Sequence, residues 1–247
     1  GRVPALDIRS LRVPLNLERA TSLFARFDAV RTLRLGAGCL EFAGVCMPGL
    51  GVVGALLPSV RQLDGTVRVG LHELNLEGNI LFAEGADVLC AALREGASLG
   101  RHPLRVLNLS KTQLGTGRSF CDSCGNGRSF SQELVTMLAQ HATALRELRL
   151  AGNAMGAHVA EVMCQQNLIG ARGRLRVLDL SDNQLGDVGV RAIVKKICVK
   201  NSSSLVELRL DSNFVTNKSC LVLCRLLSYN RTLRVLSLAW NAIHPAG

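Results

Sequence analysis

Leucines and polar residues alternate along this chain in a short motif that keeps returning. Leu71-His-Glu-Leu74-Asn-Leu76-Glu-Gly-Asn79-Ile-Leu81 aligns with Leu145-Arg-Glu-Leu148-Arg-Leu150-Ala-Gly-Asn153-Ala-Met155 and with Leu175-Arg-Val-Leu178-Asp-Leu180-Ser-Asp-Asn183-Gln-Leu185. Two further copies run from Leu205 to Val215 and from Leu233 to Ile243, and weaker copies begin at Val3, Val30 and Leu104. Apolar residues at motif positions 4 and 6, with polar residues between them, predict a short strand with one buried face. The starts lie 27, 41, 33, 41, 30, 30 and 28 residues apart. Self-similarity at such a period predicts a stack of strand-and-helix units rather than a round globule.

A helical stripe follows most strands. Val190, Ile193, Val194 and Ile197 share one face, as do Leu17, Ala20, Leu23, Phe24 and Phe27. At position 9 an asparagine can bond backbone groups where the chain leaves the strand, and stacking would turn these residues into a ladder. That position reads Leu11, Gly38, Asn79, Thr112, Asn153, Asn183, Asn213 and Asn241, so the ladder is expected to be patchy in the N-terminal half. Cys90, Cys164 and Cys224 each lie 19 residues after their repeat start, and this shared helix position predicts core packing of a small apolar residue.

These residues resemble the leucine-rich repeat family, and the period with its full helix resembles the ribonuclease-inhibitor subfamily. The resemblance implies an α/β solenoid of about eight repeats, with a parallel sheet lining a concave face and helices outside. It covers nearly all of residues 1–247, read as a single domain and as a piece of a longer protein. The excess length of the second and fourth repeats predicts rim insertions near 41–53 and 116–130. The second insertion carries Gly117-Arg-Ser-Phe120-Cys121-Asp-Ser-Cys124-Gly-Asn-Gly-Arg-Ser-Phe130, rich in glycine and serine and expected to be a surface loop. Four-coordinate zinc would need Cys121 and Cys124 together with Cys39 and Cys46 of the other insertion. A plain loop, a partner contact, zinc and a disulfide or redox pair all remain open there, and the reading adopted has no metal and no cofactor.

Composition narrows the function. Apolar residues make up 48% of the chain but aromatic residues only 4%, which suits thin layers of Leu, Val, Ala and Cys. Nine scattered cysteines do not form the even framework of a small secreted scaffold, and this points to a reducing, intracellular setting. The sequon at Asn108 falls inside a predicted strand. The longest apolar stretch, Cys46 to Pro58, is broken by Gly and Pro and is too short to insert in a membrane. The net charge of +10 favours an acidic partner.

No phosphate loop, metalloprotease or nucleophile-elbow motif occurs, and no enzyme activity is expected. Ran-type GTPase activators resemble this fold and set an arginine beside an asparagine. Here Gly78, Gly152, Asp182, Ser212 and Trp240 precede the asparagines instead. The expected function is a noncatalytic protein–protein interaction module, a scaffold subunit of a large intracellular, ciliary or cytoskeletal, assembly. Alternatives are an RNA- or ribosome-associated binding protein, a Ran-type GTPase activator, or the sensor domain of a NOD-like receptor. Arg31, Arg105, Arg146, Arg176 and Arg234 recur at position 2. The concave positions mix signs, with Arg34, Arg149 and Arg209 against Glu147, Asp179 and Glu207. These residues, with Trp240 as an exposed anchor and Phe120 and Phe130 on the insertion, are the expected partner contacts. Trp240 packing under a following repeat is the competing expectation.

Overall fold

In the computed structural model, residues 5–8, 31–37, 60–61, 67–68, 70–95, 103–115, 130–169, 173–198 and 204–244 are described. The strands are β1 (Ala5–Ile8), β2 (Thr32–Leu35), β3 (Val60–Arg61), β4 (Val67–Arg68), β5 (Glu73–Asn75), β6 (Val106–Asn108), β7 (Glu147–Arg149), β8 (Val177–Asp179), β9 (Glu207–Arg209) and β10 (Val235–Ser237). The helices are α1 (Phe82–Glu95), α2 (Phe130–His141), α3 (Gly156–Gln165), α4 (Gly186–Cys198) and α5 (Cys220–Tyr229), the last preceded by a 3₁₀ turn, Asn217–Ser219.

Each motif supplies one strand. Eight strands form one sheet in the order β1-β2-β5-β6-β7-β8-β9-β10, parallel throughout. The register keeps motif positions level, with Leu33, Leu74, Leu107, Leu148, Leu178, Leu208 and Leu236 opposite one another. A one-residue slip would turn every leucine outward, so the burial of this row fixes the register. The leucines pack with Val190, Ile193, Val194 and Ile197 of α4 and their counterparts on neighbouring helices in one buried cluster, with Leu236 partly buried against it. The predicted α/β solenoid is therefore the observed architecture.

The strands are short because the chain turns sharply after each. Position 8, just before the asparagine, has left-handed backbone at Gly78, Lys111, Gly152, Asp182, Ser212 and Trp240, with φ between 53° and 73°. Position 10, just after it, is also left-handed at Gln113, Ala154, Gln184 and Phe214. Helices α3 and α4 begin at Gly156 and Gly186, again with positive φ. A Cβ at either would meet no neighbour within 4 Å, so the backbone conformation and not the space calls for glycine.

Two features depart from the repeat expectation. The antiparallel pairing of β3 with β4, Val60 opposite Arg68, lies outside the main sheet and within the long second repeat. Sequence periodicity does not announce it, because two-residue strands are too short to show a period. The cysteines of the shared helix position also diverge. Cys90 is buried, Cys164 is half-buried and Cys224 is exposed. Cys224 lies on α5, the last described helix. Burial pushes the Cys164 thiol up to about 11, with Lys196 opposing and Glu161 adding to the rise, which makes it a poor nucleophile at neutral pH.

Candidate protein-binding face

The asparagine rungs set the edge from which the candidate face is built. Asn183 Oδ1 accepts from the backbone N–H of Asn153 and Met155, both at 3.3 Å, and its Nδ2 donates to the carbonyls of Leu150 at 2.9 Å and Ser181 at 3.0 Å. Asn213 repeats this on Asn183 and Leu185, and Asn241 repeats it on Asn213 and Val215. Asn153 reaches the N–H groups of Thr112 and Leu114. The run stops at Thr112. Its hydroxyl serves Leu109 O and Asn153 Oδ1, and Asn79 N–H turns to Leu76 O in its own repeat. The expected patchiness of the N-terminal half is thus present at this rung.

Rigid rungs hold the residues on either side in fixed directions. Trp240 precedes Asn241 and is 89% exposed, while Phe214 follows Asn213 and is 68% exposed. Both have left-handed backbone, at φ 56° and 58°. Position 8 elsewhere carries Ala37, Gly78, Lys111, Gly152, Asp182 and Ser212, so a large ring is confined to the last described repeat. Bulky residues held in this conformation cost about 1 kcal/mol each, which packing does not offset when the ring is in water. Val235 on β10 is 44% exposed and extends the apolar surface onto the concave side.

The concave face itself is a field of paired charges. Arg34 Nε lies 2.6 Å from Glu73 and its guanidinium 3.6 Å from Asp7. Arg149 meets Glu147 at 2.6 Å and Arg209 meets Glu207 at 2.5 Å, each pair two residues apart on one strand. A hydrogen bond from Arg209 to Glu207, and then the charges of Glu207, Asp179 and Asp211, raise its pKa against the opposing effect of burial. Asp179 accepts from Ser181 N–H at 3.0 Å, as Asn75 does from Glu77 and Asn108 from Ser110. A shallow concave hollow of about 400 Å³ is lined by Arg34, Glu73, Asn75, Val106, Asn108, Glu147 and Arg149.

The structure therefore brings Arg34, Glu147, Arg149, Asp179, Glu207 and Arg209 onto one sheet face, with Trp240 at its C-terminal edge. Phe130 is the first residue of α2. Phe120, Cys121, Cys124, Cys39 and Cys46 lie outside the described residues, as do both proposed insertions apart from Phe130. Among the described residues no group of three His, Cys, Asp or Glu side chains could hold a metal ion, and no helix is long and apolar enough to cross a membrane.

Sequence reasoning missed two things here. Phe214 was hidden because an aromatic after Asn213 reads as ordinary strand-to-helix apolar content. The second is a lock at the start of α4. Asp187 accepts from Thr216 N–H at 3.0 Å, Thr216 Oγ1 at 2.7 Å and Ser219 Oγ at 2.5 Å. Asn217, at the same position one repeat on, accepts from His244 N–H at 2.8 Å. The signal was available, since Asp187 and Asn217 stand 30 residues apart at motif position 13.

A regular parallel stack with an asparagine ladder and outer helices defines a leucine-rich repeat solenoid. The Leucine Rich repeat family model matches residues 175–194 and 229–247. Mouse ribonuclease inhibitor is 26% identical over 256 residues, covering 99% of this chain and 54% of that protein. Human NACHT, LRR and PYD domains-containing protein 5 is 29% identical over 261 residues, covering 98% of this chain and 20% of that protein. The chain thus spans about half the length of the first relative and a fifth of the second. Among solved structures, Leiomodin-1 Actin-Binding Site 2 (ABS2) is 18% identical with a TM-score of 0.38, covering 54% of this chain and 70% of that one. The chain is a leucine-rich repeat protein of the ribonuclease-inhibitor-like kind.

Proposed function

We propose that this chain is a noncatalytic protein-binding module whose partner docks across the C-terminal part of the concave face, with Trp240 as the anchor. The observation that carries the reading is Trp240 itself, 89% exposed in a strained backbone slot that other repeats fill with small or polar residues. Phe214 and Val235 widen the apolar surface, and the Arg209–Glu207 and Arg149–Glu147 pairs form a polar border. An aromatic centre with a charged rim is the usual anatomy of a protein interface, and Trp is enriched among its energetic hot spots. A ligand of mouse ribonuclease inhibitor, a ribonuclease, is one partner class that the similarity supports. Service as a scaffold subunit of a larger intracellular assembly is the finer form of the same reading.

A photo-crosslinking residue placed at Ser212, the same motif position one repeat before Trp240, should capture a discrete partner from cell extract, and the same residue placed at Lys195 on the convex side should not. Trp240→Ala should then weaken the purified partner's binding by about 2 kcal/mol or more, with the melting temperature unchanged. Equal capture from both positions, or an early melt with unaltered affinity, sinks the reading.

A further inference from the structure

A second surface runs along the opposite end of the strands. Position 2 residues are joined directly through the backbone. Arg105 N–H bonds to His72 O, Arg146 to Arg105 O, Arg176 to Arg146 O, Val206 to Arg176 O and Arg234 to Val206 O, all at 2.6–2.8 Å. Adjacent members are therefore one strand spacing apart, about 4.8 Å. Arg105, Arg176 and Arg234 are exposed and Arg146 half-buried, with Arg174 exposed beside them.

The acids next to this row are already committed. Glu73, Glu147 and Glu207 stand one position further along their strands, and each turns to an arginine of the concave face, Arg34, Arg149 and Arg209. Among the described residues Arg105, Arg176 and Arg234 have no ion pair. Arg146 spends one N–H on the carbonyl of Arg174, at 3.1 Å, which ties it to the next repeat without neutralising it. The local field registers on His72. Its pKa is pushed below the ordinary value, first by burial and then by the charges of Arg105 and Arg31. Guanidinium groups without an ion pair, set on adjacent backbone-bonded strands, are forks ready for carboxylates.

We propose that the row Arg105–Arg146–Arg176, continued by Arg234, is a docking strip for an extended acidic segment of a protein partner. Carboxylates crossing the strands would meet successive guanidinium groups without displacing the concave ion pairs. A protein segment is favoured over single-stranded nucleic acid, whose binding strips interleave cations with stacking rings. Among the described residues no Phe, Tyr or Trp stands at motif positions 1 to 3. The strip goes beyond the Trp240 edge. Six residues of strand and turn separate positions 2 and 8, roughly 20 Å at full extension.

The probe is a fluorescein-labelled oligoglutamate of about twenty residues, read by anisotropy at low and at physiological salt. The variant R105E/R146E/R176E should weaken binding at least about tenfold, or about 1.4 kcal/mol, and should flatten its salt dependence. The control K195E/K196E/R225E removes as many cations from the convex helices and should change binding no more than about threefold. Trp240→Ala should leave oligoglutamate binding intact, so failure of one surface is separable from failure of the other. Equal weakening by both triple variants would reduce the strip to diffuse charge and overturn the proposal, as would absence of binding. Tighter binding of an oligouridylate of equal length, lost with the same first variant, would also overturn it and reassign the strip to nucleic acid. Circular dichroism checks the fold. Should the glutamate variant melt early, R105Q/R146Q/R176Q replaces it under the same criterion.

Discussion

Asn183 shows how much one side chain does in this fold. It satisfies two N–H groups of the preceding repeat and the carbonyls of Leu150 and Ser181, in a place with no access to water. Asn183→Ala should lower stability by about 1–3 kcal/mol, because the orphaned backbone groups stay buried. Gln184→Ala, next to it on the exposed side, should cost less than about 0.5 kcal/mol. Urea unfolding of the two variants side by side checks this, and equal midpoints would mean that the rung is dispensable. Thr112 shows the complement. Its hydroxyl reaches Leu109 O in its own repeat and Asn153 Oδ1 in the next, while Asn79 N–H bonds Leu76 O, so the rung between Thr112 and Asn79 departs from the asparagine pattern. The sequence made this position legible because side-chain length and hydrogen-bonding capacity are local properties. The left-handed backbone around each asparagine was not legible. It follows from the tight exit of the stacked strand, and it is imposed on Lys111, Gln113 and Trp240 against their preference.

At the scale of elements, strands and helices followed directly from spacing, because burial of one face dictates a period of two in the strand and near 3.6 in the helix. What joins element to element was harder to read. The bond set of Asp187 crosses from the start of α4 to the turn before α5, and a charge at a helix start reads first as a cap. Burial works against the charge of Asp187, but the bonds from Ser219 and Thr216, with Arg191 nearby, outweigh it and hold its pKa below the ordinary value. A carboxylate depressed in the folded state contributes stability that is complete above its unfolded pKa and lost as pH falls through the folded one. Asp187→Asn should therefore cost about 1–2 kcal/mol at neutral pH. The difference from wild type should hold down to about pH 4 and shrink below it. Thermal melts from pH 7 to pH 2.5 test this, and a gap independent of pH would show that the bonds do not depend on the charge. The candidate face was legible only in part for the same reason. Arg34, Arg149 and Arg209 were readable as concave residues, but their capture by Glu73, Glu147 and Glu207 depends on side-chain direction. Among the described residues, that capture leaves Arg105, Arg176 and Arg234 as position 2 arginines without an ion pair.

The whole molecule is a line of layers in which each repeat touches its neighbours, so an insertion matters only if it interrupts a contact between layers. The insertion of the fourth repeat does not. Strands β6 and β7 pair in full register, with Leu107 opposite Leu148, although their motifs start 41 residues apart. On the far side of the turn, Gly115 N–H bonds to Asn153 O at 2.9 Å, and Arg94 of α1 meets Glu133 of α2 at 3.1 Å. Both sides of the layer are closed without the segment between Gly115 and Phe130. Deleting Ser119 to Ser129 should therefore leave the melting temperature within about 4 °C of wild type, a change under about 1 kcal/mol. Metal analysis and a chelator titration on the undeleted protein belong with this measurement, because the segment holds Cys121 and Cys124. Loss of the cooperative transition on deletion, together with bound zinc and unfolding by chelator, would make the segment a structural metal loop. The expected outcome is a stack that folds without it, with the bonds of Gly115 to Asn153 and of Arg94 to Glu133 intact.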